Sequence, residues 1–404
     1  MNKRGVIVAV AAVVGVTAVL AGCSSNAPAT SSGGQKLTVE DYYAGPQAAN
    51  YDKIYKDCAA KDGNTVTATH VPNGGLIAKV LQQISSKTLP DVLMLDNPDV
   101  QQIADSGALT PLKDYGIKSD GVTQGVVDAG TYKGDLYGLA PGVNSLALFY
   151  NKDLFTAAGL KPPTTWDELK ADAKALTTPE HYGFAFSGVN NYEGTWQFMP
   201  WMWSNGGDEK KLNSPENAQA LQFLHDLVAD GSASQSVVNW SQGDVDNQFI
   251  AGKAAMMENG PWQIPSLKQS KINWGYVPIP PAADGKKSQT PLGGETFTVP
   301  NTGNKAKQAA AGKFVACLNT PAVEATIAEQ NNYIPSNVDA AKKFGETNAD
   351  LSGFVQIVAD ARSRTAELGV KWPDVGTQIY TAEQLVLTGK ATPEAALAQV
   401  TAGK

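Results

Sequence analysis

Residues 90–96, Pro-Asp-Val-Leu-Met-Leu-Asp, form the stretch that decides the fold class. Four consecutive apolar residues bounded by acidic ones are typical of a strand buried on both faces of a parallel sheet. Upstream, residues 37–39 and 66–70 have strand character, while residues 54–58 and 76–84 carry apolar side chains at helical spacing. The order strand, helix, strand, helix, strand predicts an α/β fold.

The same alternation continues downstream. Residues 146–150, 181–187, 254–257 and 296–300 predict strands separated by helical stretches, and the chain beyond Lys305 is mostly helical. The chain has 404 residues, of which 42% are hydrophobic and 18% are charged. This length and composition are sufficient for two globular domains, each with its own core.

The N-terminus predicts export and lipidation. Lys3 and Arg4 precede an apolar run of 15 residues, and residues 20–23 read Leu-Ala-Gly-Cys. This segment resembles the signal peptide and lipobox of bacterial lipoproteins, which implies a signal peptide over residues 1–22 and lipidation of Cys23. The alternative, a membrane-spanning helix, needs about 20 apolar residues. Residues 23–35 are small or polar and predict a flexible tether to the membrane.

The charge of the chain argues against two classes of partner. The net charge is −7, and the predicted signal peptide contains two of the basic residues and no acidic one, so the remainder is more acidic still. An acidic surface repels phosphate groups, which disfavours nucleic acids and anionic membrane surfaces as partners. We therefore expect membrane contact through the lipid anchor only.

Two cysteines, Cys58 and Cys317, remain after Cys23 is assigned to the lipid. In an oxidising compartment they can form one disulfide. Two buried free thiols are an equally good interpretation of the sequence, because cysteine is common in protein cores. The sequence leaves both alternatives open.

Motifs for common hydrolytic and nucleotide chemistry are absent from the sequence. There is no Gly-x-Ser-x-Gly elbow, no His-Glu-x-x-His metal motif, no P-loop and no Gly-x-Gly-x-x-Gly after a strand. The three histidines are far apart in the sequence, so no metal site and no cofactor are predicted. The sequence leaves open a glycosidase that acts through a pair of carboxylates, because the chain has 39 acidic residues.

Several segments resemble the solute-binding proteins of carbohydrate ABC importers, the maltose-binding-protein-like family. The most specific are Tyr-Asn-Lys-Asp-Leu-Phe at residues 150–155 and Phe-Ile-Ala-Gly-Lys-Ala-Ala-Met-Met-Glu-Asn-Gly-Pro-Trp at residues 249–262. Residues 89–96, 132–139 and 331–336 agree with them in order and spacing. The resemblance covers nearly the whole chain after the predicted tether.

This resemblance implies a two-lobed type II binding-protein fold with discontinuous lobes joined by three hinge strands. The N-terminal lobe is expected to comprise residues 36–143 and 296–333, and the C-terminal lobe residues 144–295 and 334–404. A sugar would bind between the lobes, which would close around it by a hinge motion and present it to the ABC permease subunits. Such receptors act as monomers, and the resemblance implies no enzymatic activity.

The candidate ligand-binding residues follow from this resemblance and from sugar chemistry, which requires planar acceptors and aromatic platforms. Tyr42 and Tyr43 end the first strand, and only one of the two is expected to face the cleft. Asp96 and Asn97 follow the buried strand, although Asn97 could instead cap the next helix. Asn144 lies at the first crossing, where relatives carry a carboxylate.

Five further positions complete the predicted site. Trp196 aligns with an aromatic stacking position of relatives, and Trp262 is the strongest candidate for a sugar platform. Gly294 and Glu295 lie at the second crossing, and Trp372 lies near a last aromatic position of the family. Trp201 and Trp203 are expected to pack in the core of the second lobe.

Two alternatives accompany the sugar-receptor interpretation. The first is an extracellular lipoprotein that hydrolyses glycans, since hydrolases share the same aromatic and carboxylate content. The second is the same receptor fold with a solute other than a sugar. An anionic solute is disfavoured, because no arginine or lysine falls among the predicted cleft positions.

Overall fold

The computed structural model describes residues 34–365 and 368–402. The predicted signal peptide, Cys23 and most of the predicted tether lie outside the described residues. The strands are β1 (Lys36–Asp41), β2 (Thr65–His70), β3 (Val92–Asp96), β4 (Thr131–Tyr132), β5 (Asp135–Leu136), β6 (Gly138–Leu139), β7 (Gly142–Val143), β8 (Ala147–Asn151), β9 (Tyr182–Ala185), β10 (Ala254–Asn259), β11 (Trp274–Val277), β12 (Glu295–Thr298) and β13 (Ile334–Pro335).

The helices connect these strands and cover the sheets. They are α1 (Gly45–Ala60), α2 (Asn73–Ser86), α3 (Val100–Asp105), α4 (Gln124–Gly130), α5 (Lys152–Ala158), α6 (Trp166–Ala175), α7 (Tyr192–Ser204), α8 (Pro215–Ala229), α9 (Gln242–Ile250), α10 (Ile264–Gln269), α11 (Lys305–Leu318), α12 (Pro321–Asn331), α13 (Val338–Thr347), α14 (Ser352–Ala359), α15 (Trp372–Leu387) and α16 (Pro393–Thr401).

The first sheet has the strand order β2-β1-β3-β12-β6 within the described chain. Strands β2, β1 and β3 are parallel, whereas β12 runs antiparallel to both β3 and β6. The apolar strand β3 lies in the middle of the sheet, and Leu93, Met94 and Leu95 are completely buried. The α/β class predicted from this stretch is therefore confirmed.

The second sheet has the order β11-β8-β10-β9 within the described chain. Strand β10 runs parallel to β9 and antiparallel to β8. Trp166, Trp201 and Phe223 pack together beside this sheet, with ring centroids 4.5 to 6.2 Å apart. Trp201 and Trp203 are buried in this core, as expected.

The chain passes between the two sheets at three places that lie side by side. Strand β7 pairs with β13, and Asn144 forms a bridge with Gly293. Strands of the first sheet come from residues 36–139 and 295–298, and strands of the second from residues 147–277. Strand β12 begins at Glu295, one residue before the expected boundary, because Glu295 pairs with Asp96 of β3.

The first lobe has a core of aromatic rings next to a disulfide. Tyr55 of α1 packs against Phe297 and Phe314, at centroid distances of 5.9 and 5.7 Å. One turn further along α1, Cys58 forms a disulfide with Cys317 of α11. Of the two alternatives that the sequence left open, the structure has the disulfide, which ties together two helices 259 residues apart in the chain.

Two carboxyl groups are buried together in the second lobe. Glu258 at the end of β10 accepts a hydrogen bond from Nε1 of Trp201 at 2.7 Å. Glu383 of α15 is 1% exposed, and neither of its oxygens has a hydrogen-bond partner in the described chain. Burial, reinforced at Glu383 by the charge of Glu258, raises the pKa of both carboxyls well above the usual range. Burial therefore favours the protonated form of both groups.

The lobes also touch away from the crossings. Helix α3 contacts the 3-10 turn Gly369–Lys371, and α15 contacts the 3-10 turn Asn97–Asp99. These contacts bring the loop after β3 close to the start of α15. Within the described residues, no helix has the length and apolar character needed to cross a membrane.

Candidate functional site

A cavity of about 370 Å³ lies where the crossings meet the ends of β1 and β3. Both lobes contribute to its walls: Tyr42 and Asp96 come from the first lobe, and Trp196 and Trp262 from the second. The volume falls within the usual range for small-molecule sites. The cavity is therefore the candidate binding site.

Glu295 forms part of the first-lobe wall and is 8% exposed. Its Oε1 atom accepts hydrogen bonds from the hydroxyls of Tyr42, at 3.1 Å, and Tyr333, at 3.3 Å. Its Oε2 atom is buried without a partner among the described residues. Burial, assisted by the charge of Asp96, raises the pKa of Glu295 to about 7. The unpartnered oxygen can accept a hydrogen bond from a ligand.

Arg364 joins two wall residues of the cavity, Asp96 and Trp196, and also contacts Asn97. Two of its nitrogens donate to the two carboxylate oxygens of Asp96, one of them at 2.9 Å. The guanidinium carbon lies 4.7 Å from the ring centroid of Trp196, and a third hydrogen bond of 3.3 Å goes to Oδ1 of Asn97. Arg364 is only 4% exposed, so this bidentate pair is largely shielded from water.

Asp99 follows in the 3-10 turn after β3 and lines the same cavity. Burial and the charge of Asp96 raise the pKa of Asp99 to about 7, and Arg364 opposes this shift only in part. Asp99 and Glu295 therefore both titrate near neutral pH.

Two glycines allow the aromatic walls to approach the backbone. A Cβ atom at Gly260 would overlap ring atoms of Trp262, which follows in the 3-10 turn Pro261–Gln263. A Cβ atom at Gly293 would overlap the side chain of Asn144 and lie 2.8 Å from the ring of Trp196. A larger residue at either position would displace a tryptophan from the cavity.

The second-lobe rim is built at the start of α7. The side chain of Asn191 accepts from the backbone N–H of Glu193 at 2.7 Å and so caps the helix. Oε2 of Glu193 in turn accepts from the backbone N–H of Gln242 at 3.2 Å. Tyr192 and Tyr380 pack edge to face with centroids 5.9 Å apart. This rim adds two aromatic rings and a carboxylate to the cavity.

These groups are suited to binding a hydroxyl-rich molecule. Aromatic rings can cover its C–H faces, and the carboxyl and amide oxygens can accept from its hydroxyls. No cluster of histidine, cysteine, aspartate or glutamate side chains that could hold a metal ion occurs in residues 34–365 and 368–402.

Residues 53–352 match the family model described as "Bacterial extracellular solute-binding protein". The chain belongs to this solute-binding protein family. The two-lobed type II fold implied by the sequence resemblance is thereby confirmed.

Relatives of this solute-binding protein bind sugars. It is 25% identical over 353 residues to the maltooligosaccharide ABC transporter solute-binding lipoprotein of Streptococcus pneumoniae, covering 82% of this chain and 80% of the relative. The GacH receptor of Streptomyces glaucescens, solved unliganded and with acarbose, superimposes with a TM-score of 0.80 at 25% identity, over 91% of this chain and 96% of the receptor.

A third relative is the cyclic alpha-maltosyl-1,6-maltose binding protein of Arthrobacter globiformis. Its crystal structure matches with a TM-score of 0.75 and 27% identity, over 91% of this chain and 97% of that protein. The family and these relatives are binding proteins, and the three relatives bind maltooligosaccharides, acarbose and cyclic alpha-maltosyl-1,6-maltose, respectively.

The structure brings most of the predicted site residues of this solute-binding protein together. Those that line the cavity are Tyr42, Asp96, Asn144, Trp196, Trp262, Gly294 and Glu295. Tyr43, Asn97 and Trp372 do not line it.

Each of the three exceptions has a physical reason. Tyr43 points into the core and stacks on Tyr51, with ring centroids 3.8 Å apart. The amide of Asn97 is buried and donates to the carbonyl of Leu292 at 2.9 Å, so it neither faces the cleft nor caps a helix. Trp372 is 2% exposed and starts α15 inside the core of the second lobe.

Several cavity residues were missed by the sequence analysis. They are Leu76, Ile77, Asp99, Asn191, Tyr192, Glu193, Gln242, Gly293, Tyr333, Arg364 and Tyr380. The expectation of a cleft without arginine was wrong, because Arg364 reaches the cavity from a loop that carries no recognisable motif. Asp99, Gly293 and Tyr333 could have been found, since each lies within or beside a segment already matched to the family.

Proposed function

We propose that this solute-binding protein captures a mono- or oligosaccharide between its two lobes and delivers it to an ABC importer. The observation that carries the proposal is the cavity, in which Trp196 and Trp262 meet the oxygens of Asp96, Asn144 and Glu295. Aromatic faces combined with carboxylate and amide acceptors suit a sugar. The sugar-binding relatives support the same ligand class.

Binding without turnover is the second part of the proposal. The family and its relatives are binding proteins, and a cavity shared between two lobes suits capture by closure. The solute is therefore released unchanged to the permease subunits. No cofactor is required for this activity.

The third part of the proposal concerns where in the cell the protein acts. The family is extracellular, and one relative is a lipoprotein. Together with the signal peptide and lipobox predicted from the sequence, these relatives support a receptor anchored outside the cell membrane through lipidated Cys23. The proposed receptor acts as a monomer.

A thermal-shift screen of the chain from Ser24 onward tests the ligand class. Candidate ligands are mono- and oligosaccharides, amino acids and polyamines. A ligand that binds only the folded state at 100 times its Kd stabilises the protein by about 2.7 kcal/mol, which raises the Tm measurably. We expect a sugar to produce this shift. A shift with another class and none with sugars would leave the receptor fold intact and refute the sugar assignment.

The glycan hydrolase alternative is tested on the same sugars. A hydrolase needs two carboxyl groups on either side of the scissile bond, about 5–9 Å apart. The cavity contains carboxyl groups, so prolonged incubation followed by chromatography of the sugar is informative. We expect the oligosaccharide to be recovered intact; shorter products that disappear in the Asp99→Asn variant would identify a hydrolase.

A further inference from the structure

The carboxyl groups that line the cavity outnumber the cationic side chains that line it. Four carboxyl groups line it, those of Asp96, Asp99, Glu193 and Glu295, against one cationic side chain among the described residues, Arg364. A neutral sugar needs hydrogen-bond acceptors, but it does not need an excess of negative charge.

Among the described residues, Arg364 forms an ion pair with only one of these carboxylates, Asp96, and its charge opposes the raised pKa of Asp99 only in part. Its two terminal nitrogens are bonded to Asp96, its third hydrogen bond goes to Asn97, and its face lies over Trp196. Within residues 34–365 and 368–402, the ion pair at the cavity is that of Arg364 with Asp96, and no salt bridge is formed by Asp99, Glu193 or Glu295. The cavity therefore contains more acidic groups than its own basic group can neutralise.

Glu295 is the group with an open hydrogen-bonding position. Asp96 faces it from β3, the hydroxyls of Tyr42 and Tyr333 face it from the first lobe, and Arg364 lies behind Asp96. Both hydroxyls donate to Oε1, which leaves Oε2 buried and without a donor. A buried carboxylate oxygen without a partner is unfavourable, so a donor from the ligand is favoured at this point.

We propose that the preferred solute is a sugar that carries a protonated amine, and that Glu295 and Asp99 select it. This inference rests on the proposed sugar-receptor function. A hydroxyl group can donate to Oε2 of Glu295, but it brings no positive charge. An ammonium group donates the same hydrogen bond and also neutralises the uncompensated carboxylates, which a neutral sugar cannot do.

Two other features suit such a ligand. The rings of Trp262, Tyr192 and Tyr380 line the cavity, and aromatic faces attract a cation that lies within about 6 Å. The net charge of −7 also attracts cations to the protein over longer distances.

Titration of the cavity acids gives the preference a pH dependence. Because burial raises the pKa of Glu295 and of Asp99 to about 7, both groups are partly protonated near neutral pH. A bound cation favours their ionised forms, so binding of the amino sugar releases protons. Lowering the pH protonates both acids and weakens the preference.

The test compares each neutral sugar with its amine-bearing counterpart by isothermal titration calorimetry. The probes are glucose with glucosamine, cellobiose with the glucosamine disaccharide, and maltose or maltotriose with its reductively aminated derivative. The protein is the chain from Ser24 onward, which contains the compact unit of residues 34–404. We expect at least one amine-bearing sugar to bind about tenfold more tightly than its neutral partner at pH 7.5, with proton release. At pH 5 the advantage should fall below about threefold.

Three variants identify the origin of the preference. Glu295→Gln and Asp99→Asn should each lower the ratio of the affinity for the amine-bearing sugar to the affinity for its neutral partner. Asp57→Asn is the matched control, because it removes one negative charge from a surface position whose side chain is 64% exposed. The control should leave the ratio of the two affinities unchanged, and melting curves establish that each variant is folded.

Two outcomes would overturn the inference. Neutral sugars that bind as tightly as their amines would refute the amine preference alone and leave the sugar receptor standing. Binding of putrescine or spermidine without any sugar, or no binding of any probe sugar, would refute this inference together with the sugar assignment.

Discussion

Arg364 and Asp96 form a bidentate ion pair that joins the two lobes at the back of the cavity. Asp96 ends β3 in the first sheet, whereas Arg364 packs on Trp196 of the second lobe. A second arginine provides a comparison: Arg362 lies 4.6 Å from the ring of Trp203 and donates to Glu209 at 2.8 Å, entirely within the second lobe. Only the first pair depends on the relative position of the lobes.

The Arg364→Gln substitution should therefore move the two lobes of the ligand-free protein apart. Its radius of gyration in small-angle scattering should increase, and its affinity for a bound sugar should fall about tenfold, because a smaller fraction of molecules has the binding-competent form. The loss of the buried partner also lowers the free energy of unfolding by about 1–3 kcal/mol.

Arg362→Gln is the matched control for this effect. It removes the hydrogen-bonded pair of Arg362 with Glu209 and should reduce stability, but it should change neither the radius of gyration nor the affinity. Equal scattering curves for the two variants would contradict an interlobe role of Arg364.

Trp262→Ala should lower sugar affinity about 30-fold, or ~2 kcal/mol, as expected for loss of a central aromatic contact. Isothermal titration calorimetry on the folded variant measures the change in Kd. Trp274→Ala is the control, since Trp274 is also partly buried but lies outside the cavity and packs against Phe149. It should lower the Tm and leave Kd unchanged; an equal loss of affinity in both variants would argue against Trp262 as a platform.

The disulfide should stabilise the first lobe without shaping the cavity. Replacement of Cys58 and Cys317 by serine should lower the free energy of unfolding by about 2–5 kcal/mol, because the link closes a long loop in the unfolded chain. Chemical denaturation of the variant and of the parent, with and without reductant, checks this. Reductant should destabilise the parent only, and a stable variant with altered affinity would contradict the assignment of a purely structural role.

Glu383→Gln should make the protein more stable at neutral and alkaline pH. The folded protein keeps Glu383 protonated, while the unfolded chain releases the proton near pH 4.5, so stability falls as the pH rises from there towards the raised pKa. Glutamine removes this loss, so the stability of the variant relative to the parent should increase as the pH rises above about 4.5, with no such gain below that pH. Denaturation curves at several pH values test this, with the exposed Glu346→Gln as control. A constant difference across pH would contradict a protonated Glu383.

The sequence predicted those parts of the site that depend on local patterns. Asp96 follows an apolar strand, and Trp262 follows a glycine and a proline after another strand, so the position of each at a strand end could be inferred. Tyr42 and Tyr43 show the limit of this reasoning: both directly follow β1, and their side chains point in different directions, Tyr42 to the cavity and Tyr43 to the core.

Contacts between distant segments could not be inferred in this way. Arg364 reaches Asp96 over 268 positions, and its loop lies beside the crossing only because Arg362 exchanges backbone hydrogen bonds with Thr290 and Leu292. Trp372 was misassigned for the opposite reason. Its type and approximate position suit a sugar platform, but the turn before α15 directs the ring into the core.

The position of β12 has a consequence for how the protein matures. When the chain is secreted with its N-terminus first, β1, β2, β3 and β6 emerge well before Glu295–Thr298. That later segment is the strand that lies between β3 and β6. Until then the central strand β3 lacks one neighbour, and Glu295 is missing from the nascent cavity. The cavity therefore cannot be complete until Glu295–Thr298 has emerged and paired with β3 and β6.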